Sequence, residues 1–231
     1  MSVKIGVPSK GRLMEDAFKW FGLKGLTAVH GGLEREYSGT LDGILNVELV
    51  MLSAGEIPRE LSVGRIHFGI TGMDLVREKL GLWDRRVVET VKLEFGHADL
   101  VIAVPSFWVD VNTLDDLDAA AAAFRRRHGF RLRIATKYHR LVREFLRNHG
   151  VADYQLVDSQ GATEGAVKNE TAEAIADITT TGVTLRANHL KILEDGVVLK
   201  SQAMMYRALC AETSDEDKAT LNELLMRFKQ N

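Results

Sequence analysis

Apolar positions in the first third of the chain fall into short runs separated by polar turns. Val3, Ile5 and Val7 predict a buried strand over 3–7, stopped by Pro8. A polar turn, Ser9-Lys10-Gly11-Arg12, follows. Leu13, Ala17, Phe18 and Phe21 then share one helical face and predict an amphipathic helix over 13–21. The unit recurs: a strand over 47–52 leads to a short helix over 56–61 with Pro58 near its first turn. A strand over 67–71 turns at Gly72-Met73-Asp74 into a helix over 75–80. Residues 24–46 are glycine-rich and predict loops and short antiparallel strands. In parallel α/β sheets the turns after strand C-termini lie side by side, so the turns at 9–12 and 72–74 can line one ligand site.

An alternating strand over 87–95 runs into a buried one over 98–105, where the chain crosses to a second domain. Thr113 with Asp116 is a capping-box variant before an alanine-rich helix ending at His128. A strand over 131–135, a turn at Thr136-Lys137-Tyr138 and a helix over 139–148 closed by Gly150 come next. After a strand over 154–157, residues 158–164 open a helix that includes 166–171. Stretches 191–193 and 197–206 read as strands around an Asp195-Gly196 turn, and Leu221, Leu224, Leu225 and Phe228 mark a helix over 214–229. The expected domains are 1–94 with 186–231, and 95–185.

Asp177-Ile-Thr-Thr-Thr-Gly-Val-Thr-Leu-Arg-Ala-Asn188 stands apart from these units. Ala174, Ile175, Ala176 and Ile178 read as a buried strand end, and Leu185-Arg186-Ala187 opens a helix. A strand that breaks into hydroxyls and a glycine before a helix presents free backbone N–H groups to an anion. Gly182 permits a positive φ, and Thr180, Thr181 and Thr184 add hydroxyl donors. Glu173 and Asp177 could take ribose hydroxyls beside a bound phosphate. A threonine-capped helix start fits the same residues; the threonine density favours the phosphate. Lys10 and Arg12 fit either an anion site or a solvated turn, and Asp74 either a ligand contact or an N-cap.

The chain has 231 residues, a net charge of −2 and one cysteine, Cys210. This excludes an internal disulfide and suits a reducing cytoplasm; Cys210 sits among apolar residues and is expected to be buried and inert. The charge gives no bulk attraction to nucleic acid, and no apolar run reaches the ~20 residues of a membrane helix. The seven histidines have no cysteine partners or metal-ligand spacing, so no protein-built metal site is expected. Walker A, dinucleotide and nucleophile-elbow motifs are absent.

Together these turns resemble the ATP phosphoribosyltransferases of histidine biosynthesis, in their short form. Residues 7–13 (Val-Pro-Ser-Lys-Gly-Arg-Leu) resemble that family's opening motif, with Ser9 as a variant. Residues 68–74 (Phe-Gly-Ile-Thr-Gly-Met-Asp) are similar to its second, and 99–105 to the strand entering the middle domain. Residues 134–138 (Ile-Ala-Thr-Lys-Tyr) match the third, which more often continues with proline and asparagine where this chain has His139 and Arg140. Residues 176–190 resemble the loop for the 5-phosphate of phosphoribosyl pyrophosphate. The resemblance implies an α/β, two-lobed, type II periplasmic-binding-protein-like fold with an active-site cleft between the lobes. The implied reaction is attack of adenine N1 of ATP on the anomeric carbon of phosphoribosyl pyrophosphate, with release of pyrophosphate. It further implies that Thr179, Thr180, Thr181, Gly182, Val183 and Thr184 bind the 5-phosphate. Asp177 and Glu164 would face the ribose and its developing charge. Lys10, Gly11, Arg12, Arg59, Gly72, Asp74 and Lys137 would complete the substrate contacts. Mg²⁺ would be held mainly through substrate phosphates. After residue 229 no sequence remains for the effector domain of the long form. The resemblance therefore implies a homodimer that joins a regulatory subunit resembling histidyl-tRNA synthetase in a hetero-oligomer. A small-molecule binding module of the same lobed fold is the competing reading; it would normally carry a signal peptide or lipid anchor.

Overall fold

The computed structural model describes residues 2–30, 38–159 and 161–229. The chain forms two compact units, residues 1–96 with 202–231, and residues 97–201.

The first unit opens with β1 (Val3–Pro8), α1 (Gly11–Leu23), β2 (Thr27–His30), β3 (Ser38–Asp42) and β4 (Val47–Leu52). It continues through α2 (Ile57–Ser62), β5 (Phe68–Gly72), α3 (Met73–Lys79) and β6 (Val87–Lys92). Of the glycine-rich stretch 24–46, residues 31–37 lie outside the described residues; β2 and β3 around them pair antiparallel, as expected. β1 lies between β4 and β5 and runs parallel to both. The strand ends Pro8, Leu52 and Gly72 therefore lie along one edge of this sheet, and the turns that follow them gather there. The amphipathic stripe of α1 buries Ala17, Trp20 and Phe21.

The chain crosses as β7 (Ala98–Pro105) and continues through α4 (Leu114–His128), β8 (Leu132–Thr136), α5 (His139–Asn148) and β9 (Tyr154–Asp158). β10 (Ala174–Thr179), α6 (Val183–Ala187) and β11 (Leu190–Ser201) complete the second unit. Its five-stranded sheet has the order β11-β7-β10-β8-β9. β10 runs parallel to β8 and antiparallel to β7. Thr113 caps α4 through a full capping box with Asp116, so the cap read from spacing forms. The chain then returns to the first sheet as β12 (Ala203–Ala208) between β5 and β6, and ends in α7 (Asp215–Lys229). Leu221, Leu224 and Phe228 of α7 are buried, and the Phe228 ring stacks 5.2 Å from Trp20 and 5.6 Å from Phe68. Each such buried aromatic contributes about 1.5–3 kcal/mol of transfer free energy.

Several expectations change. The return to the first unit falls at 201–202, not 186, because β11 pairs with β7 over most of its length and belongs to the second sheet. The Asp195-Gly196 pair makes no hairpin: β11 runs through it with a bulge. A Cβ on Gly196 would meet Leu193 Cβ at 2.8 Å and the Ile102 carbonyl at 3.1 Å, so a side chain there is disfavoured, and Asp195 Oδ1 accepts from the Leu114 N–H at 2.9 Å. The helix expected from 158–164 is a single 3-10 turn, Thr163–Gly165, followed by turns; Gln160 lies outside the described residues. Ile178 is 44% exposed rather than buried, and Cys210 is exposed, its thiol 3.3 Å from the Ser62 carbonyl. No described helix is long and apolar enough to cross a membrane.

Candidate active site

In the second unit, the end of β10, the 3-10 turn at 163–165 and the start of α6 enclose a cavity of about 340 Å³. Glu164, Asp177, Thr179, Thr180, Thr181, Val183 and Thr184 line it, with Ala98 and Leu185 closing the wall. Gly182 sits at φ +69°, a conformation L side chains rarely adopt, and reverses the chain between the threonines and α6. The Gly182 N–H donates to Thr179 Oγ1 at 2.9 Å, Thr180 Oγ1 donates to the His97 carbonyl at 3.3 Å, and Arg186 holds the Thr181 carbonyl at 3.1 Å. The loop is thus held from behind. Thr181, Val183 and Thr184 remain exposed, and the first-turn N–H groups of a helix have no intrahelical acceptor.

Asp177 is half-buried, and desolvation pushes its carboxyl above the usual range. The Ile178 N–H at 2.9 Å, the Thr163 hydroxyl and the positive charge of Lys137 pull the other way, while Glu164 adds a like charge. Lys137, after β8, donates to the Gly161 carbonyl at 2.7 Å. The second unit therefore brings together the expected acids, the loop and Lys137.

Lys10, Gly11, Arg12, Arg59, Gly72 and Asp74 belong to the first unit. Lys10 is the extended residue before α1, Gly11 has φ +73°, and the Arg12 guanidinium is 93% exposed with Nε 3.6 Å from Asp16. Arg59 is exposed on α2, where its charge helps lower the Glu56 carboxyl after the stronger effect of hydrogen bonds to Ser53. Asp74 is not an N-cap: Gly72 holds that position, and Asp74 is buried in the first turn of α3, crowded against Gly72.

Glu173 has a different role from the one expected. It precedes β10, far along the strand from the loop, and grips Arg133 through contacts of 2.6 and 3.1 Å to its guanidinium and 2.8 Å to its backbone N–H. Sequence reasoning missed Thr163. It is 1% exposed, its hydroxyl opposes the rise of the Asp177 pKa, and it accepts from Ser159 Oγ at 2.8 Å, yet a lone buried hydroxyl in an irregular turn leaves no periodic trace. A larger concavity of about 600 Å³ at the start of β8 and β9 contains none of the expected residues.

This architecture defines the class. Over 99% of its length the chain is similar to ArgBP of Thermotoga maritima, solved as its P235GK mutant, with 14% identity, 88% of that chain covered and a TM-score of 0.53. The class is thus α/β, two-lobed and like the type II periplasmic binding proteins. The ATP phosphoribosyl transferase (HisG:HisZ) complex of the same organism shares the fold more closely, with 19% identity, 98% and 96% of the two chains covered and a TM-score of 0.71. A family model described as ATP phosphoribosyltransferase matches residues 53–230. Curated relatives of that name are 71% identical in Cereibacter sphaeroides, covering 93% of this chain and 91% of the relative, and 51% identical in Mesorhizobium japonicum, covering 98% and 97%. The chain belongs to the ATP phosphoribosyltransferase family, enzymes that transfer the phosphoribosyl group of phosphoribosyl pyrophosphate to ATP in the first step of histidine biosynthesis.

Proposed function

We propose that the threonine-loop cavity of the second unit is where this enzyme binds the phosphoribosyl group and where the transfer takes place. The observation that carries the reading is the meeting of Thr179–Thr181, Val183 and Thr184 with both acids, Asp177 and Glu164, in one cavity. The exposed hydroxyls and first-turn N–H groups would hold the 5-phosphate, with Gly182 setting the turn. Adenine N1 attacks the anomeric carbon as its bond to the diphosphate breaks. Positive charge grows on the ribose ring and negative charge on the leaving group. Asp177, half-desolvated, and Glu164 face the ring, where a fixed carboxylate in a water-poor site stabilises the developing cation more than bulk water does. Lys137 from this unit, with Lys10, Gly11, Arg12, Arg59, Gly72 and Asp74 from the first, would serve the diphosphate and ATP. Holding two substrates in line supplies much of the rate, and no covalent nucleophile is required.

Mg²⁺ fits this donor set. No cluster of three or more metal-ligating side chains is found among the described residues, and the cavity offers two carboxylates. Such a site holds Mg²⁺ mainly through substrate phosphate oxygens, where the ion would offset diphosphate charge. A cytoplasmic location belongs to the same reading, supported by the single cysteine and the nucleotide substrate.

A homodimer that joins a histidyl-tRNA-synthetase-like regulatory subunit completes the proposal. It is supported by the two-component composition of the Thermotoga complex that shares the fold. In the test, ATP, phosphoribosyl pyrophosphate and Mg²⁺ are mixed with the chain, and ultraviolet absorbance of the modified adenine is followed with pyrophosphate release. Asp177→Asn and Glu164→Gln should lower kcat more than they weaken substrate affinity. Wild-type turnover in both variants would remove the carboxylates from the chemistry.

A further inference from the structure

The larger concavity of the second unit has its own chemistry. Arg131 precedes β8, Arg143 and Arg147 lie one turn apart on α5, and Tyr154 begins β9. Together with Gln155 they surround a basin of about 600 Å³ whose lining contains no carboxylate. All three guanidiniums are close enough to act on the Tyr154 phenol: burial raises its pKa, and Arg143, Arg147 and Arg131 oppose that in this order. Among the described residues none of the three is paired with an acid. The nearby Asp153 is bound to Arg125, and Asp118 accepts from the Ala152 N–H at 2.8 Å.

Three like charges gathered around one hollow repel each other, and they do so on a chain whose net charge is −2. An anion relieves that repulsion. Guanidinium forks match phosphate oxygens two at a time, three of them spread around a basin of about 600 Å³ can engage two linked phosphates, and the phenol adds a donor and an aromatic wall. The basin is also remote from the threonine loop. It lies at the start of β8, whereas Lys137 follows the end of that strand, roughly 15 Å away at about 3.3 Å per residue. We propose that this basin binds a diphosphate-bearing anion, either inorganic pyrophosphate or the polyphosphate of a nucleotide, at a site separate from the threonine-loop cavity.

Equilibrium dialysis of the full chain with labelled pyrophosphate at low salt tests it. Arg143→Ala/Arg147→Ala, both exposed on α5, should weaken one class of site at least tenfold. Thr181→Val/Thr184→Val should leave that class intact, so failure of the proposed active-site reading would not be confused with failure here. Thermal midpoints show whether each variant folds, and Arg143→Lys/Arg147→Lys, which keeps the charge but loses the forks, should fall between wild type and the alanine variant. Labelled ADP identifies the source. In Tyr154→Leu, a loss larger for ADP than for pyrophosphate assigns a nucleotide stacked on the ring; equal losses assign pyrophosphate. A pyrophosphate isotherm unchanged in the folded Arg143→Ala/Arg147→Ala variant overturns the proposal, as does a basin that takes polyglutamate but no pyrophosphate.

Discussion

Thr163→Val separates the proposed role of Asp177 from mere burial. The change keeps the side chain's shape at a position only 1% exposed, but removes the hydroxyl that favours the ionised Asp177 carboxyl and accepts from Ser159 at 2.8 Å. Losing the hydrogen bond from Ser159 costs about 0.5–1.5 kcal/mol, and a chain of this size loses roughly 2–4 °C of melting midpoint per kcal/mol. A drop of roughly 1–6 °C is expected at neutral pH. The chemical effect follows from the balance on Asp177. Desolvation already raises its pKa, and Thr163 is one of the groups opposing that rise. Removing the hydroxyl raises the pKa further. If ionised Asp177 stabilises the ribosyl cation, the acid limb of the kcat/KM profile moves to higher pH, while turnover at high pH changes little. The part of the stability loss that runs through ionised Asp177 should also vanish below the folded pKa, where the carboxyl is neutral. The assays are the absorbance change across a pH series and thermal melts at two pH values. A lowered melting midpoint with an unmoved acid limb would show that Asp177 is structural and not the group whose ionisation the reaction needs.

Gly182→Ala must hold φ +69° with a Cβ 2.9 Å from Arg186 Nη1. A cost of about 1–2 kcal/mol from the left-handed backbone is expected, together with a raised KM for phosphoribosyl pyrophosphate as Arg186 releases the Thr181 carbonyl; melts and initial rates check both. Asp177→Asn should stabilise the protein selectively. With the folded pKa raised, the ionised carboxylate penalises the fold as pH rises through that value, so the variant should match wild type at low pH and exceed it at neutral pH in urea denaturation. The isolated chain should be insensitive to histidine, and the regulatory subunit should raise its mass in light scattering and create inhibition; strong inhibition of the chain alone would place an effector site within it.

The strands, most helices and the threonine loop were legible because each rests on local signals: apolar periodicity, the Thr113–Asp116 cap, and Gly182 between strand and helix. Misreadings came where a distant partner decides. β11 reads locally as a hairpin around Asp195-Gly196, but pairing with β7 on both sides carries it through as a bulged strand, and this moves the return between units. Glu173 reads locally as a second ribose acid, but Arg133, 40 positions earlier, is its partner. The arginine basin was invisible for the same reason, since its residues come from separate strands and a helix, and Thr163 left no periodic trace in its irregular turn.

The most direct measurement is calorimetric affinity for phosphoribosyl pyrophosphate and for ATP, taken separately, in Thr181→Val and Thr184→Val. Both threonines line the cavity with exposed side chains, so the fold should be unaffected. Loss of charge-assisted hydrogen bonds to the 5-phosphate should weaken phosphoribosyl pyrophosphate by about 1–3 kcal/mol, roughly 5- to 150-fold, with ATP close to wild type. Equal losses for the two substrates, or no loss for either, would contradict the assignment of this loop to the 5-phosphate.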